Sequence, residues 1–131
     1  MLVASQNLKE LSKYKISKIA KLMAEFCKIN LGKSRGKDYP NLKLSYVASN
    51  CMGMYDPFEH KIVIYINVCE TVSDLTSTFI HEWTHSCQKV LKDYVKLYKK
   101  FGYDNHPMEI EAYNAEKKWN RKALNFVKKN W

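Results

Sequence analysis

His81-Glu82-Trp83-Thr84-His85 is an H-E-x-x-H pentad set in a stretch of helical apolar spacing. On a helix, residues four apart stack on one face, roughly 5–6 Å apart at their β-carbons, so His81 and His85 can grip one metal ion between them. Glu82 projects about 100° around the axis from His81, where it can lean over the open side of that ion and take a proton from water. These residue types at this spacing offer metal-assisted hydrolysis. The expected cofactor is Zn2+, one per chain, with His81 and His85 as ligands and Glu82 as general base.

A hydrolytic zinc site needs three protein ligands and one position left open. The run Asn105-His106-Pro107-Met108-Glu109-Ile110-Glu111-Ala112-Tyr113 supplies candidates downstream. Glu109 and Glu111 lie about 200° apart on a helix, so only one can face the metal. They flank the stripe through Ala112, Trp119 and Ala123 on opposite sides, and periodicity does not choose between them. The one not used would orient a ligand histidine or stand in solvent. His106 is a candidate ligand or a donor to a developing oxyanion; the plainer expectation is a residue that starts a helix beside Pro107. Tyr103 and Tyr113 are further candidate oxyanion donors, or packed aromatics with satisfied hydroxyls. His60 is expected in a turn. Cys87 lies two residues past His85, about 200° around a helix, and faces away from the metal.

The elements that must position these groups follow from periodicity. Leu8, Leu11, Ile16, Ile19, Met23, Phe26 and Cys27 place a helix over about residues 6–30, and Gly32 to Pro40 is a basic loop. Leu42–Val47 and Met52–Tyr55 suit short strands. Asp56–His60 turns the chain into Lys61–Asn67, the strongest strand pattern. Thr71 and Asp74 have capping-box spacing, and Val72, Leu75, Phe79, Ile80, Trp83, Cys87, Val90, Leu91 and Tyr94 continue helically to about Lys100. After a loop at Phe101–Asn105, Pro107 opens a last helix through Ala112, Trp119, Ala123 and Phe126. The order is helix, three strands, helix, helix: an α+β fold with a small antiparallel or mixed sheet.

The chain of 131 residues suits one domain spanning residues 1–131. No apolar run reaches the ~18 residues that would span a membrane, and the first residues lack the apolar core of a signal peptide. A cytoplasmic or otherwise intracellular protein is expected, in a host cell or a virion if the source is viral. Four widely spaced cysteines without a C-x-x-C pair suit reduced, mostly buried thiols. The net charge of +9 is uneven. Residues 1–43 carry ten lysines and arginines against three acids, residues 44–88 one against five, and residues 89–131 eleven against five. Basic flanks around an acidic centre would attract nucleic acid, an anionic membrane surface or an acidic protein partner, or are solvated helix faces. A basic nucleic-acid- or protein-binding module, with a structural or vestigial metal site, is therefore the alternative function. No helix-turn-helix, zinc-ribbon spacing or RNA-binding aromatic signature accompanies the charge.

The pentad together with Pro107-Met108-Glu109-Ile110-Glu111-Ala112 resembles the zincin metallopeptidases. More narrowly it is similar to the small gluzincin-type domains of phages and bacteria, in which a glutamate ligand opens the helix after His-Glu-x-x-His. The likeness spans about residues 42–120 and leaves out the N-terminal helix. The metzincin extension is absent, since Gln88 and Leu91 stand where it would need glycine and histidine. The resemblance implies a zincin-like fold and a zinc-dependent metallopeptidase acting on a peptide or protein. It favours Glu109 as third ligand, because Glu109 lies three residues before the small Ala112, with Glu111 as runner-up. It also implies that substrate lies extended along Lys61–Asn67 as an edge strand.

Overall fold

A computed structural model of the chain describes residues 2–88 and 91–131. After a 3-10 turn at Leu8–Glu10 come α1 (Lys13–Asn30), β1 (Asn41–Ser45), β2 (Gly53–Asp56), β3 (Lys61–Tyr65), α2 (Val72–Ser86), α3 (Leu91–Phe101) and α4 (Pro107–Lys129). The fold is α+β with a three-stranded mixed sheet. Among the described residues no helix is long and apolar enough to cross a membrane.

The sheet is ordered β1-β3-β2, with β1 parallel and β2 antiparallel to β3. The central strand is therefore the one expected at the edge. Ile62, Val63 and Ile64 form an unbroken apolar run and are all buried, which only a strand covered on both faces can satisfy. β2 alternates less cleanly and takes an edge. The turn from β2 to β3 is held by the Asp56 carboxylate, which accepts from the Phe58 and Glu59 backbone N–H groups at 2.9 and 3.2 Å. His60 ends that turn at φ 49°, its ring nitrogens bonded to the Tyr55 hydroxyl and the Asp38 carbonyl. It is a structural turn residue.

Two helices differ from the sequence pattern. The N-terminal helix begins only at Lys13, because the Ser12 side chain caps the Lys15 N–H while Leu8–Glu10 forms its own turn on Asn7. The long helix expected over residues 72–100 is two helices. α2 starts at a complete Thr71/Asp74 capping box and closes at Cys87, whose N–H returns to Thr84 and His85. Lys89 and Val90, expected inside that helix, lie outside the described residues. The cysteines also differ in part: Cys27 and Cys69 are buried, Cys87 is half-buried and Cys51 is exposed.

The core gathers α1, β3, α2 and α4 around Trp83 and Phe79, both fully buried. Trp83 donates its indole N–H to the Gly32 carbonyl at 2.8 Å, tying α2 to the end of α1. α2 and α4 run antiparallel. Thr76 donates to Asn120 at 2.6 Å and Asn120 donates to Ser73 at 3.1 Å, a polar tie that sets the register of the pair.

Gly53 lets β2 approach α2. A β-carbon there would stand 2.7 Å from Thr78 Cγ2, 3.1 Å from the Val63 carbonyl and 3.2 Å from Glu82 Cγ. Gly53→Ala is expected to destabilise the fold by about 1–3 kcal/mol in denaturant melts, by overpacking. Adding Thr78→Ser, which removes the nearest methyl, should restore part of that loss. An unchanged midpoint in Gly53→Ala would contradict the close approach.

Candidate metal centre

α2 turns one face into the core through Val72, Leu75, Phe79 and Trp83, and the opposite face carries His81 and His85 towards α4. α4 begins at His106, whose Nδ1 accepts from the Met108 N–H at 3.1 Å, and Pro107 occupies its first turn. Glu109 thereby falls in the first turn, where the helix dipole favours a carboxylate. The antiparallel register brings it between the two histidines. Glu109 Oε1 lies 2.9 Å from His81 Nε2 and 3.0 Å from His85 Nε2, and the two imidazole nitrogens are 3.2 Å apart.

The outer nitrogens settle which atoms point inward. His81 Nδ1 lies 2.6 Å from Glu116 Oε2, a carboxylate that only accepts, so Nδ1 carries a proton. His85 Nδ1 lies 2.6 Å from Gln88 Oε1. The Gln88 amide orientation follows from its NH2, which donates to the Met108 carbonyl at 2.9 Å and the Glu111 carboxylate at 3.1 Å. Two Nε2 atoms and one carboxylate oxygen thus converge, and such a triangle needs positive charge at its centre, either protons or a cation. A tetrahedral zinc with ligands about 2.0–2.1 Å away has ligand–ligand edges of about 3.3 Å. The triangle is slightly tighter than that, and its donor set of two imidazoles and one carboxylate suits zinc. His81, His85 and Glu109 form a group among the described residues able to hold a metal ion.

Electrostatics reinforce the cluster. Burial alone would lower the His81 pKa, but hydrogen bonds to Glu109 and Glu116 outweigh it and push the value up to about 9. His85 is raised as well: burial opposes, and Glu109 and Gln88 prevail. Glu109 is held well below the usual carboxylate range, since its bonds to His81, His85 and Tyr94 overcome burial. Glu82 is different. Burial raises its carboxyl, and its side chain makes no hydrogen bond among the described residues.

Glu82 opens onto a trough. A cavity of about 310 Å³ on the His85 side is lined by Met54, Tyr55, Pro57 and Met108. A second of about 390 Å³, on the Glu116 side, is lined by Asn50, Ser77, Thr78 and Tyr113. Both share Gly53, His81, Glu82 and Tyr103, so they adjoin across the histidine–glutamate pair. The strand edge facing this trough is β2; β3 is paired on both sides.

The remaining expected residues separate clearly. Glu111 is exposed and reaches His85 only through Gln88. His106 is neither ligand nor oxyanion donor: it is fully buried, one nitrogen caps α4 and the other meets the Tyr94 carbonyl at 2.9 Å. Tyr103 and Tyr113 stand at the rim with hydroxyls 3.0 Å apart, and the Tyr113 ring packs edge-on to His81. One proton joins that pair, which leaves the second hydroxyl proton available to a ligand.

Three participants escaped sequence reasoning. Glu116 lies seven residues after Glu109, two turns along the same face, and a metal-site histidine commonly needs such a partner on its second nitrogen; that spacing was a usable signal. Gln88 is one turn beyond His85. Tyr94 had no signal: its hydroxyl donates to Glu109 Oε2 at 2.5 Å, but on a continuous helix it would stand about 13 Å along the axis from His85.

Glu116→Gln is expected to weaken zinc binding about 10–100-fold, with the fold intact by circular dichroism; an unchanged affinity would remove Glu116 from the site. The metal-free pocket holds a proton on His81 until pH rises through about 9. Protonation of His81 thus stabilises the metal-free fold fully below the ordinary histidine pKa, and that contribution is lost as pH rises through the folded value. Zinc must displace the proton, so affinity should rise with pH across the neutral range, and calorimetry near pH 7 should count about one proton or more released per zinc. Proton-neutral binding would contradict the assignment.

No protein-family model, curated protein or solved structure matches the chain, and what the centre can do rests on its own geometry.

Proposed function

We propose that the protein is a zinc-dependent metallopeptidase of zincin-like design, with His81, His85 and Glu109 as ligands and Glu82 as general base. The observation that carries this reading is the pairing of two unlike groups on adjacent residues of α2. His81 is locked by Glu116 into a three-atom cluster, while the Glu82 carboxylate, lining the trough, has no hydrogen-bond partner among the described residues. A site that only held the fold together would have no use for a carboxylate without a hydrogen-bonding side-chain partner, opening onto the trough beside the cluster.

Zinc held there supplies Lewis acidity, easing the ionisation of water towards neutral pH and polarising an amide carbonyl. The chain's own residues do the rest. Glu82, its proton affinity raised by burial, accepts a proton from water and returns it to the departing amine. Glu116 and Gln88 keep both ring Nδ1 atoms protonated, and Tyr94 holds Glu109 by its second oxygen. The Tyr103–Tyr113 pair offers a hydroxyl proton to the oxyanion. A peptide lies extended along the β2 edge at Gly53–Asp56, and the trough continuing on both sides of Glu82 suits cleavage within a chain.

Glu82→Gln separates this reading from a purely structural metal site. The variant should keep about one zinc per chain by mass spectrometry of the metal while losing about 10²–10⁴-fold in hydrolysis of an unfolded protein substrate. Equal cleavage by both proteins, or wild-type protein that takes up no zinc, would sink the proposal.

A further inference from the structure

We propose that the exposed face of the second half of α4, carrying Lys117, Lys118, Arg121, Lys122, Lys128 and Lys129, binds the phosphate backbone of nucleic acid. All six side chains are exposed, and no acid occurs from Lys117 to Trp131. None of them makes an ion pair among the described residues, where Lys61 with Glu59 is the lone lysine or arginine pair. The positive field is therefore not neutralised within the fold. α1 adjoins it. Lys18 of α1 lies over the Trp131 ring at 4.8 Å, and α1 packs beside α4 through Phe26 against Trp119 and Phe126 at ring separations of 6.1 and 5.7 Å. Lys118 and Lys122 are steadied over the Trp119 ring at 5.0 and 5.1 Å.

The shape of the charge selects the partner. The row extends over about 18 Å of helix, along which a duplex presents about ten negative charges. An anionic membrane would need apolar side chains to insert among the lysines. Here the apolar positions are turned inward: Ala123 and Val127 are buried, and no large hydrophobic residue beyond Tyr113 is exposed. An acidic protein would need an exposed aromatic or a buried arginine as anchor; Trp119 is half-buried beneath Lys118 and Lys122, and Arg121 is exposed. Lysine dominates, which suits sequence-independent contact with phosphates. Glu109 lies about 12 Å along the helix from Lys117, the nearest of the six, and about 20 Å from Lys122, so the face starts beside the Glu116 end of the trough and runs away from the cluster. The inference stands apart from the peptidase reading.

The test is fluorescence anisotropy with a labelled 20-base-pair duplex of arbitrary sequence, on zinc-loaded and on EDTA-treated protein. Binding is expected in both, with a slope of log affinity against log salt of about −5. The triple variant Lys118→Glu, Lys122→Glu, Lys129→Glu should flatten that slope by about 3. The variant Lys9→Glu, Lys43→Glu, Lys99→Glu makes the same charge change on other exposed surfaces and should retain most of the binding. Circular dichroism checks folding, and the milder pair Lys118→Gln, Lys122→Gln, expected to flatten the slope by about 2, serves if the triple variant unfolds. No binding at about 50 mM salt, where such contacts are strong, would overturn the proposal. So would equal losses in the two triple variants, or preference for phosphatidylserine vesicles over duplex.

Discussion

The antiparallel register of α2 against α4 decides whether the remaining parts of the site meet. Asn120 bridges Thr76 and Ser73 near the start of α2, Glu116 meets His81 further along, and Glu109 meets both histidines beyond that. These contacts climb one helix as they descend the other. A slip of one residue would rotate Glu109 about 100° out of the cluster, and a slip of one turn would carry it about 5 Å along the axis away from the histidine nitrogens. Phe79, Trp83 and Ala123 belong to the one buried core into which both helices pack. The polar ties supply the uniqueness, because directional bonds between buried groups are costly to leave unmade.

The break after Ser86 matters for the same reason. A helix continued to Lys100 would have carried Tyr94 about 13 Å along the axis from His85. Once the chain leaves α2, the Gln88 side chain bridges His85 to the start of α4, and α3 returns Tyr94 to the second oxygen of Glu109. Each of the three converging side chains is thus oriented by a partner: Glu116 for His81, Gln88 for His85 and Tyr94 for Glu109. The Glu82 side chain alone has none among the described residues. The contrast between three held groups and an unheld carboxylate is a difference in hydrogen bonding, imposed by elements that meet only in the folded chain.

Burial of the central strand places the other wall. Ile62 to Ile64 are buried on both faces, as suits a central strand, and with β3 in the middle β2 stands at the edge beside Glu82. Gly53 then permits an approach that any side chain would obstruct. The placement of β3 was legible in its unbroken apolar run. The expectation of an edge strand came from the family resemblance instead, and the local pattern was the better guide.

The sequence by itself determined the α+β class, the helical phase of His81, Glu82 and His85, and the capped start of α2, since each depends on spacing within one element. The resemblance favoured Glu109 over Glu111, but bringing Glu109 against the histidines belonged to the tertiary structure, because both stand at nearly equal angles from the stripe and only the packing of α4 on α2 breaks the tie. The capping role of His106, the parts played by Glu116, Gln88 and Tyr94, and the order of the strands belonged to it as well. They are contacts between elements, and a chain's periodicity records which face of a helix turns inward but not which residue of another helix it will meet there.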